Sequence, residues 1–163
     1  MSRIRPVNAA DAPAIADIYN YYVRNTAITF DENIWSSEDA LAKIEKLASG
    51  NYPFWVCCEG DEILGYSYAS QWNAHSAFIT TAETTVYLAP AHIGKGLGTQ
   101  LMRQLIEHLD CRQFHCLVAC ICTPNDISVT LHEKLGFKQV SHFKDIGYKL
   151  NEWRDVGHWT YYL

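Results

Sequence analysis

Residues 83–109 constrain the fold of this chain more than any other stretch. The β-rich segment 84–88 ends just before Pro90, which cannot continue a strand ladder. Glycines then recur at every second position from 94 to 98, and leucines follow at every fourth position over 97–109, which is the stripe of an amphipathic helix. The stretch therefore predicts a strand, a glycine-rich turn and a helix in direct succession.

A turn of this kind is suited to an anion. Closely spaced glycines remove the side chains that would keep a ligand from the backbone, and the free N–H groups of a first helical turn favour negative charge. The Walker loop is not matched, because Gly94-Lys95 is followed by Gly96 rather than by Ser or Thr. The dinucleotide fingerprint is not matched either, because Thr99 stands at its last glycine position. A nucleotide-binding α/β protein is therefore disfavoured, and a plain strand-to-helix connection stays open at this point.

Composition narrows the class of protein. With 163 residues the chain has the length of one domain, and we expect a single domain over residues 1–163. The hydrophobic fraction of 48% and the charged fraction of 19% are typical of an ordered globular protein. The net charge of -5, without a run of Lys or Arg, argues against nucleic acid or an anionic membrane as a partner. Because the sequence has neither a long apolar stretch nor a signal-peptide pattern, the cytoplasm is the expected location.

Cysteine and histidine spacing indicates no metal site. None of the six cysteines forms a C-x-x-C pair or lies at finger-like distance from a histidine pair. We therefore expect no metal, and reduced thiols that pack mostly in the core. Five histidines lack a partner at ligand spacing and are assigned structural or surface roles: His92, His108, His115, His142 and His158.

Periodicity and capping residues predict the element order βααβββαβαββ. The first helix is expected to begin at Asp11 as its cap, and the second at the capping-box residues Ser36 and Asp39. A hairpin is predicted from Phe54 to about Trp72, and a fourth helix after Pro124. The other predicted strands are 3–7, 80–88, 114–122, 137–143, 147–150 and 158–163.

Five segments carry a family resemblance. They are Thr81-Ala-Glu-Thr-Thr-Val-Tyr-Leu, Gly94-Lys-Gly-Leu-Gly, Pro124-Asn-Asp, Leu131-His-Glu-Lys-Leu-Gly-Phe137 and Gly147-Tyr-Lys…Trp153-x-Asp-Val-Gly157. Together they resemble the GNAT N-acetyltransferase superfamily, and within it the phosphinothricin and methionine sulfoximine acetyltransferase branch. The resemblance covers residues 3–162. It implies an α+β, three-layer fold whose mixed, mostly antiparallel sheet is splayed between strands 80–88 and 114–122, with flanking helices and acetyl-CoA in the gap.

The same resemblance implies acetyl-CoA as the co-substrate. Its pyrophosphate is expected on the backbone N–H groups of residues 94–99, where only small side chains are required. The backbone of Leu88 is expected to bond the cofactor arm and to stabilise the tetrahedral oxyanion, and Asn125 to bond the pantetheine amides. Ile93 stands where relatives usually have Arg or Gln. The expected cofactor-binding residues are Val86, Tyr87, Leu88, Ile93, Gly94, Lys95, Gly96, Leu97, Gly98, Thr99 and Asn125.

Glu83, His132 and Leu88 are the expected catalytic residues. An amine must lose a proton before it attacks, and Glu83, five residues before Leu88, is a candidate base, directly or through a water. His132 stands where this branch has His and many GNAT enzymes have Tyr; its imidazole can donate to a thiolate or accept from an amine. Whether Glu83 or His132 is the main base stays open. The plainer alternatives are a strand-end carboxylate and a half-exposed helix histidine.

The expected acceptor is a small amino acid or an amino-acid-like toxin of the phosphinothricin or methionine sulfoximine type. His75 departs from the branch, because close relatives carry there an Arg that suits a substrate carboxylate, and His offers at most two donors. The missing Arg is the one sequence feature that favours the alternative, an acyl-CoA-binding sensor without transfer activity. The expected acceptor-binding residues are Phe30, Asp31, Trp72, His75, Phe78, Glu83 and Tyr148.

The resemblance also implies a homodimer. The aromatic C-terminal segment would suit such an interface, and it would suit a core equally well; its members are Trp153, Trp159, Tyr161 and Tyr162.

Overall fold

The computed structural model describes residues 1–163 and contains four α-helices and seven β-strands. Their order is the predicted βααβββαβαββ, with one strand fewer than the eight predicted strand ranges. The helices are α1 (Ala12–Asn25), α2 (Ser37–Ser49), α3 (Leu97–Glu107) and α4 (Asp126–Lys134). The strands are β1 (Arg3–Pro6), β2 (Phe54–Glu59), β3 (Glu62–Gln71), β4 (Thr81–Leu88), β5 (Cys116–Thr123), β6 (Lys138–Lys149) and β7 (Glu152–Tyr162). The hydrogen-bonded strand order is β1-β2-β3-β4-β5-β7-β6.

This strand order confirms the prediction of a mixed, mostly antiparallel sheet with flanking helices. β1 with β2, β2 with β3, β5 with β7 and β6 with β7 pair antiparallel, whereas β4 and β5 pair parallel. The parallel register runs from Thr81↔Cys116 to Glu83↔Val118. The splayed gap implied by the family resemblance stays a prediction.

The chain divides into two compact units. Unit 1 comprises Met1–Asn20, Ile34–Ser70 and Thr85–Leu109, and unit 2 comprises Tyr21–Asn33, Gln71–Thr84 and Asp110–Leu163. In unit 1, α3 buries its leucine stripe as predicted, and that stripe packs with β2 and β3 residues in one cluster: Leu97, Leu101, Cys57 and Leu64.

Unit 2 holds β7 between β5 and β6, and its terminal strands correct two predictions. Residues 147–150 do not form a separate strand, because β6 runs unbroken from Lys138 to Lys149 through a bulge after Phe143. β7 begins at Glu152 instead of residue 158. Most of β6 is exposed, so its sequence lacks the apolar alternation that would have marked one long strand.

The predicted start of α2 is confirmed, whereas the predicted cap of α1 is corrected. Ser36 and Asp39 form the expected capping box of α2. Asp11 does not cap α1. Asn8 caps a short 3₁₀ helix that leads into α1, in a capping box whose acidic member is Asp11. Asp11 also accepts two hydrogen bonds of 2.7 Å from the guanidinium of Arg5, which ties this helix start to β1.

All six cysteines are free, and three of them, Cys57, Cys58 and Cys122, are buried. None of the helices combines the length and the apolar character needed to cross a bilayer.

Candidate active site

The glycine turn opens α3 with an unobstructed backbone. Gly94 and Gly96 have φ angles of 81° and 79°, the left-handed region that favours glycine. A Cβ atom added to either glycine would meet no heavy atom within 4 Å, so the space above the turn is open. Gly96 is the N-cap of α3, and no side chain caps the helix there. The first N–H groups of α3 therefore have room for an anion.

The helical side of this turn is anchored in the protein. Leu97 and Gly98 are buried, whereas Ile93 is exposed and Thr99 is half-buried. The exposed Lys95 extends its Nζ to 3.5 Å from Nδ1 of His92. The turn thus combines an anchored helix start with an exposed lysine, a usual combination where phosphate binds.

The end of β4 is held closely against β3 in unit 1. The backbone N–H of Ala89 donates to the carbonyl oxygen of Leu64 at 2.8 Å. A Cβ atom at Gly65 would lie 2.7 Å from the carbonyl oxygen of Tyr87 and 3.2 Å from the Cα atom of Leu88, so a side chain at position 65 would push this strand end away. The expected cofactor residues Val86 and Leu88 pack on the core cluster, and the ring of Tyr87 lies edge-on to that of Tyr19.

Glu83 occupies a half-buried position in β4, opposite Val118 of β5. Its charge acts on a neighbouring thiol: partial desolvation raises the pKa of Cys120 to about 11, and the carboxylate of Glu83 contributes to this rise. Glu83 therefore lies on a regular strand of unit 2 and not in a loop, so its position is fixed by the strand register.

His132 is buried, with 4% of its surface exposed, so the alternative of a half-exposed helix histidine is wrong. Its Nδ1 lies 2.8 Å from the carbonyl oxygen of Ser128, and its ring stands edge-on to Phe137. Burial lowers the pKa of His132, so the neutral ring is favoured. Because a carbonyl oxygen only accepts, Nδ1 must carry the proton, and the neutral ring keeps its lone pair on Nε2.

Asn125 is the N-cap of α4. Its Oδ1 accepts a hydrogen bond from the backbone N–H of Ser128 at 3.2 Å, which satisfies one of the free donors of the helix start. The amide nitrogen of the same side chain is the group left for the pantetheine contact that the resemblance implies.

Unit 2 contains a pocket of about 450 Å³. Two of its walls, Phe30 and Tyr148, are expected acceptor-binding residues. The full lining is Phe30, Glu32, Phe143, Ile146, Gly147, Tyr148, Val156 and His158. The walls are mainly apolar, so the pocket is suited to an uncharged side chain with a polar group at one end.

The Phe30 wall depends on close packing and on one lysine. A Cβ atom at Gly147 would lie 2.3 Å from the ring of Phe30, so this contact requires glycine. The buried Lys149 donates from Nζ to the carbonyl oxygens of Thr29 and Asp31, each at 2.8 Å. Burial lowers the pKa of Lys149. Asp31 thus contributes a backbone carbonyl to the loop that carries Phe30.

His158 is a pocket residue that the sequence analysis missed. Its Nδ1 lies 2.7 Å from the hydroxyl oxygen of Ser141, and its ring stands edge-on to Trp72 and Phe143. Burial lowers the pKa of His158. Trp72 therefore contacts the pocket through this histidine. From the sequence alone His158 is assigned a structural or surface role, because no local pattern places it beside Phe143.

Five of the seven expected acceptor residues lie outside the lining of this pocket: Asp31, Trp72, Glu83, His75 and Phe78. His75 is exposed, and its backbone N–H donates to Oδ1 of Asn73 at 3.0 Å. Phe78 is 41% exposed in the short 3₁₀ helix that follows. The structure therefore groups Phe30 and Tyr148, and it places His75 and Phe78 on the surface.

A mixed sheet in which one strand leads through an open glycine turn into a helix is the arrangement found in CoA-dependent acyltransferases. A family model described as an acetyltransferase (GNAT) domain matches residues 4–158. The chain belongs to this GNAT acetyltransferase family and is an acyltransferase.

Individual relatives agree with this assignment. The chain is 36% identical over 156 residues to phosphinothricin N-acetyltransferase of Streptomyces viridochromogenes, and the alignment covers 96% of this chain and 85% of the relative. It is 35% identical over 153 residues to L-methionine sulfoximine/L-methionine sulfone acetyltransferase of Salmonella typhimurium, covering 94% and 90%. The structure of yncA from Salmonella typhimurium with its cofactor acetyl-CoA aligns with a TM-score of 0.97 at 33% identity, covering 99% of this chain and 94% of that chain.

Proposed function

We propose that this protein transfers the acetyl group of acetyl-CoA to the amino group of a small amino acid or an amino-acid-like toxin. The observation that carries the proposal is the open turn at Gly94 and Gly96, whose left-handed backbone leaves the start of α3 accessible to a pyrophosphate. The family membership supplies the reaction class. Residues 94–99 would bind the pyrophosphate through their backbone, and Lys95 would add a positive charge.

The acceptor class rests on the pocket and on the relatives. Phosphinothricin and methionine sulfoximine, the substrates in the relatives' names, are amino acids with short side chains. The walls formed by Phe30, Tyr148 and Val156 would pack on the methylene groups of such a side chain, while His158 offers a polar group at the pocket surface. Glu32 in the same lining favours the uncharged side chain of methionine sulfoximine over the anionic phosphinate of phosphinothricin.

The reaction requires two protons to leave the acceptor nitrogen, because the amine arrives as an ammonium ion. We assign the first to Glu83, which frees the lone pair for attack on the acetyl carbonyl carbon. The C–N bond forms and the oxyanion receives hydrogen bonds from the backbone at Leu88. The C–S bond then breaks, coenzyme A leaves as the thiolate, and the product is the N-acetyl amino acid.

His132 is assigned the second proton. In its neutral form the lone pair on Nε2 makes it an acceptor, because Nδ1 donates to Ser128. It would therefore take the proton that the nitrogen loses on C–N bond formation and then pass it to the departing thiolate. This order of events gives His132 both roles, in sequence, and leaves the first deprotonation to Glu83.

His75 decides how the acceptor carboxylate is recognised. The relatives' Arg would hold a carboxylate with two parallel hydrogen bonds, whereas one imidazole provides a weaker contact. We propose that the wild-type protein accepts amino acids with lower apparent affinity than a His75→Arg variant.

We also propose that the chain acts as one GNAT domain, as a homodimer and in the cytoplasm. The family match over residues 4–158 supports the single domain. The exposed aromatic side chains of Trp153 and Tyr162 support the homodimer, whereas Trp159 is only 2% exposed and belongs to the core. Sedimentation at several protein concentrations tests the assembly, and a strictly monomeric species would contradict it.

The experiment that tests the reaction is thiol release from acetyl-CoA with methionine sulfoximine, phosphinothricin and common amino acids. Wild type, His75→Arg and Glu83→Gln are compared, since the glutamine keeps the size of Glu83 and removes its basicity. Turnover by wild type that falls on the order of 100-fold in Glu83→Gln supports the proposal. Tight acetyl-CoA binding without turnover of any acceptor supports the sensor alternative, and failure to bind acetyl-CoA contradicts both.

A further inference from the structure

One carboxylate lies opposite the extra residues of β6. The register pairs Phe143↔Val156 and Gly147↔Arg154 leave residues 144–146 of β6 facing the single residue Asp155 of β7. A bulge of this kind interrupts the ladder, so its backbone needs other hydrogen-bond partners. Asp145, within it, has a φ of 50°, in the left-handed region that is unfavourable for residues other than glycine.

Asp155 provides the partners that the ladder does not. One carboxylate oxygen accepts from the backbone N–H of Asp145 at 2.8 Å, and the other accepts from Nε2 of His142 at 2.7 Å. These bonds, the backbone one first, hold the pKa of Asp155 below its usual range. The carboxylate is thus ionised at neutral pH and is bonded both within the bulge and just before it.

The bulge forms a wall of the pocket in unit 2. Phe143 precedes its extra residues, Ile146 is one of them, and Gly147 with Tyr148 follows, and all four line the pocket. Asp155 itself is not in the lining, whereas its neighbour Val156 is. Because side chains alternate along a strand, the carboxylate lies on the opposite face of β7 and acts only through the bulge.

We propose that Asp155 is a positioning residue for the acceptor: its two hydrogen bonds fix the bulge at 144–146 and thereby hold Phe143 and Ile146 where the acceptor side chain packs. This inference rests on the proposed function, and it deepens the substrate class. A wall held in this shape favours acceptors with an uncharged, extended side chain such as methionine sulfoximine or leucine. Loss of Asp155 should weaken acceptor binding and leave acetyl-CoA binding unchanged.

Asp110 provides a matched control. Its carboxylate also accepts from a backbone N–H and from a basic side chain, those of Arg112, at 2.9 and 2.8 Å, and it lines no part of the pocket. Removal of either carboxylate therefore deletes the same kinds of bond. Only the Asp155 bonds connect to a pocket wall.

The experiment compares Asp155→Ala, Asp155→Asn, His142→Ala and Asp110→Ala. With acetyl-CoA saturating, Asp155→Ala should raise the acceptor KM about 10-fold with little change in kcat, and leave the KM for acetyl-CoA within about 2-fold. Asp155→Asn keeps an acceptor for the Asp145 N–H and should recover part of the loss. His142→Ala removes only one of the bonds and should raise the acceptor KM about 3-fold, while Asp110→Ala should match wild type.

Amide hydrogen exchange adds a readout that needs no turnover. The Asp145 amide should exchange faster in Asp155→Ala, while the amides of residues 158–162 keep their protection. An unchanged acceptor KM overturns the inference. An equal rise of both KM values, together with a lower melting temperature, also overturns it. If Asp155→Ala does not fold, Asp155→Asn and His142→Ala carry the same test. Absence of turnover by wild type with every acceptor overturns the proposed function instead, and the exchange result then decides whether Asp155 holds the bulge.

Discussion

The glycine turn of unit 1 and the pocket of unit 2 are built from different parts of the chain. The turn presents backbone N–H groups, and its key residues are the ones with no side chain, Gly94 and Gly96. The pocket is made of side chains, and its shape depends on the Lys149 and Asp155 hydrogen bonds around it. A backbone site needs a short local sequence, whereas a side-chain site collects residues from distant segments. The first should therefore tolerate few substitutions, and the second should adapt to new acceptors.

The largest effect is expected at the turn. Gly96→Asp forces a Cβ atom into a left-handed conformation and places a negative charge where the pyrophosphate would lie, so acetyl-CoA affinity should fall on the order of 1,000-fold. Gly96→Asn is the control, because Asn tolerates this conformation and carries no charge; it should lose about 10-fold or less. Calorimetric titration with acetyl-CoA measures both. Equal affinities for the two variants would show that the turn does not face the pyrophosphate.

The two regions also differ in whether they contain a group that can transfer a proton. The turn has no buried titratable group, whereas unit 2 contains His132, whose pKa is lowered by burial. His132→Gln should reduce kcat about 100-fold and leave acetyl-CoA affinity unchanged. In wild type, kcat should fall at acidic pH only below the ordinary histidine value near 6.5, because the ring must be neutral to accept a proton. An acidic limb that is identical in His132→Gln would assign it to another group.

A smaller effect is expected from the contact between Gly147 and Phe30. A methyl group at position 147 cannot fit at 2.3 Å from the ring, so Gly147→Ala should displace Phe30 and raise the acceptor KM about 10-fold without changing acetyl-CoA affinity. Replacing the Phe30 ring by a smaller side chain in the double variant Gly147→Ala/Phe30→Leu should restore part of the lost acceptor affinity, since the effects of mutations at contacting residues are not additive. Strictly additive effects in this double-mutant cycle would mean that the contact does not shape the pocket.

The two regions differ in how much of them the sequence predicts, and the reason is physical. The turn was predictable because strand, glycines and leucine stripe are contiguous, and the helix and strand order followed from local periodicity. Only two of the eight residues that line the pocket were expected. Phe30 and Tyr148 were named from the resemblance, but Phe143, Ile146 and His158 depend on the bulge in β6, and no local pattern encodes the register of two strands with unequal residue numbers.

The burial of His132 was likewise invisible in the sequence. α4 has a weak amphipathic pattern, so a histidine on it could not be assigned to the inside from periodicity alone. The packing of Phe137 against its ring and the bond to Ser128 place it there. The same neutral, buried state has a consequence for folding stability.

The smallest expected effect is therefore on stability as a function of pH. In the folded protein burial lowers the pKa of His132, so between the ordinary value near 6.5 and this lower value the unfolded chain binds more protons than the folded one. The free energy of unfolding should therefore be at its highest with respect to this group above pH 6.5 and should decline as the pH falls through the window. His132→Gln should lose less stability on acidification, and His158→Gln, whose wild-type ring is less deeply buried, should change the slope less. Urea unfolding of the three proteins between pH 7.5 and 5 measures the slopes. Parallel curves for wild type and His132→Gln would mean that the pKa of His132 is the same in the folded and unfolded chains. A wild-type protein that gains stability relative to His132→Gln on acidification would mean that the ring is protonated in the folded state, and His132 would then be a proton donor from the start of the reaction.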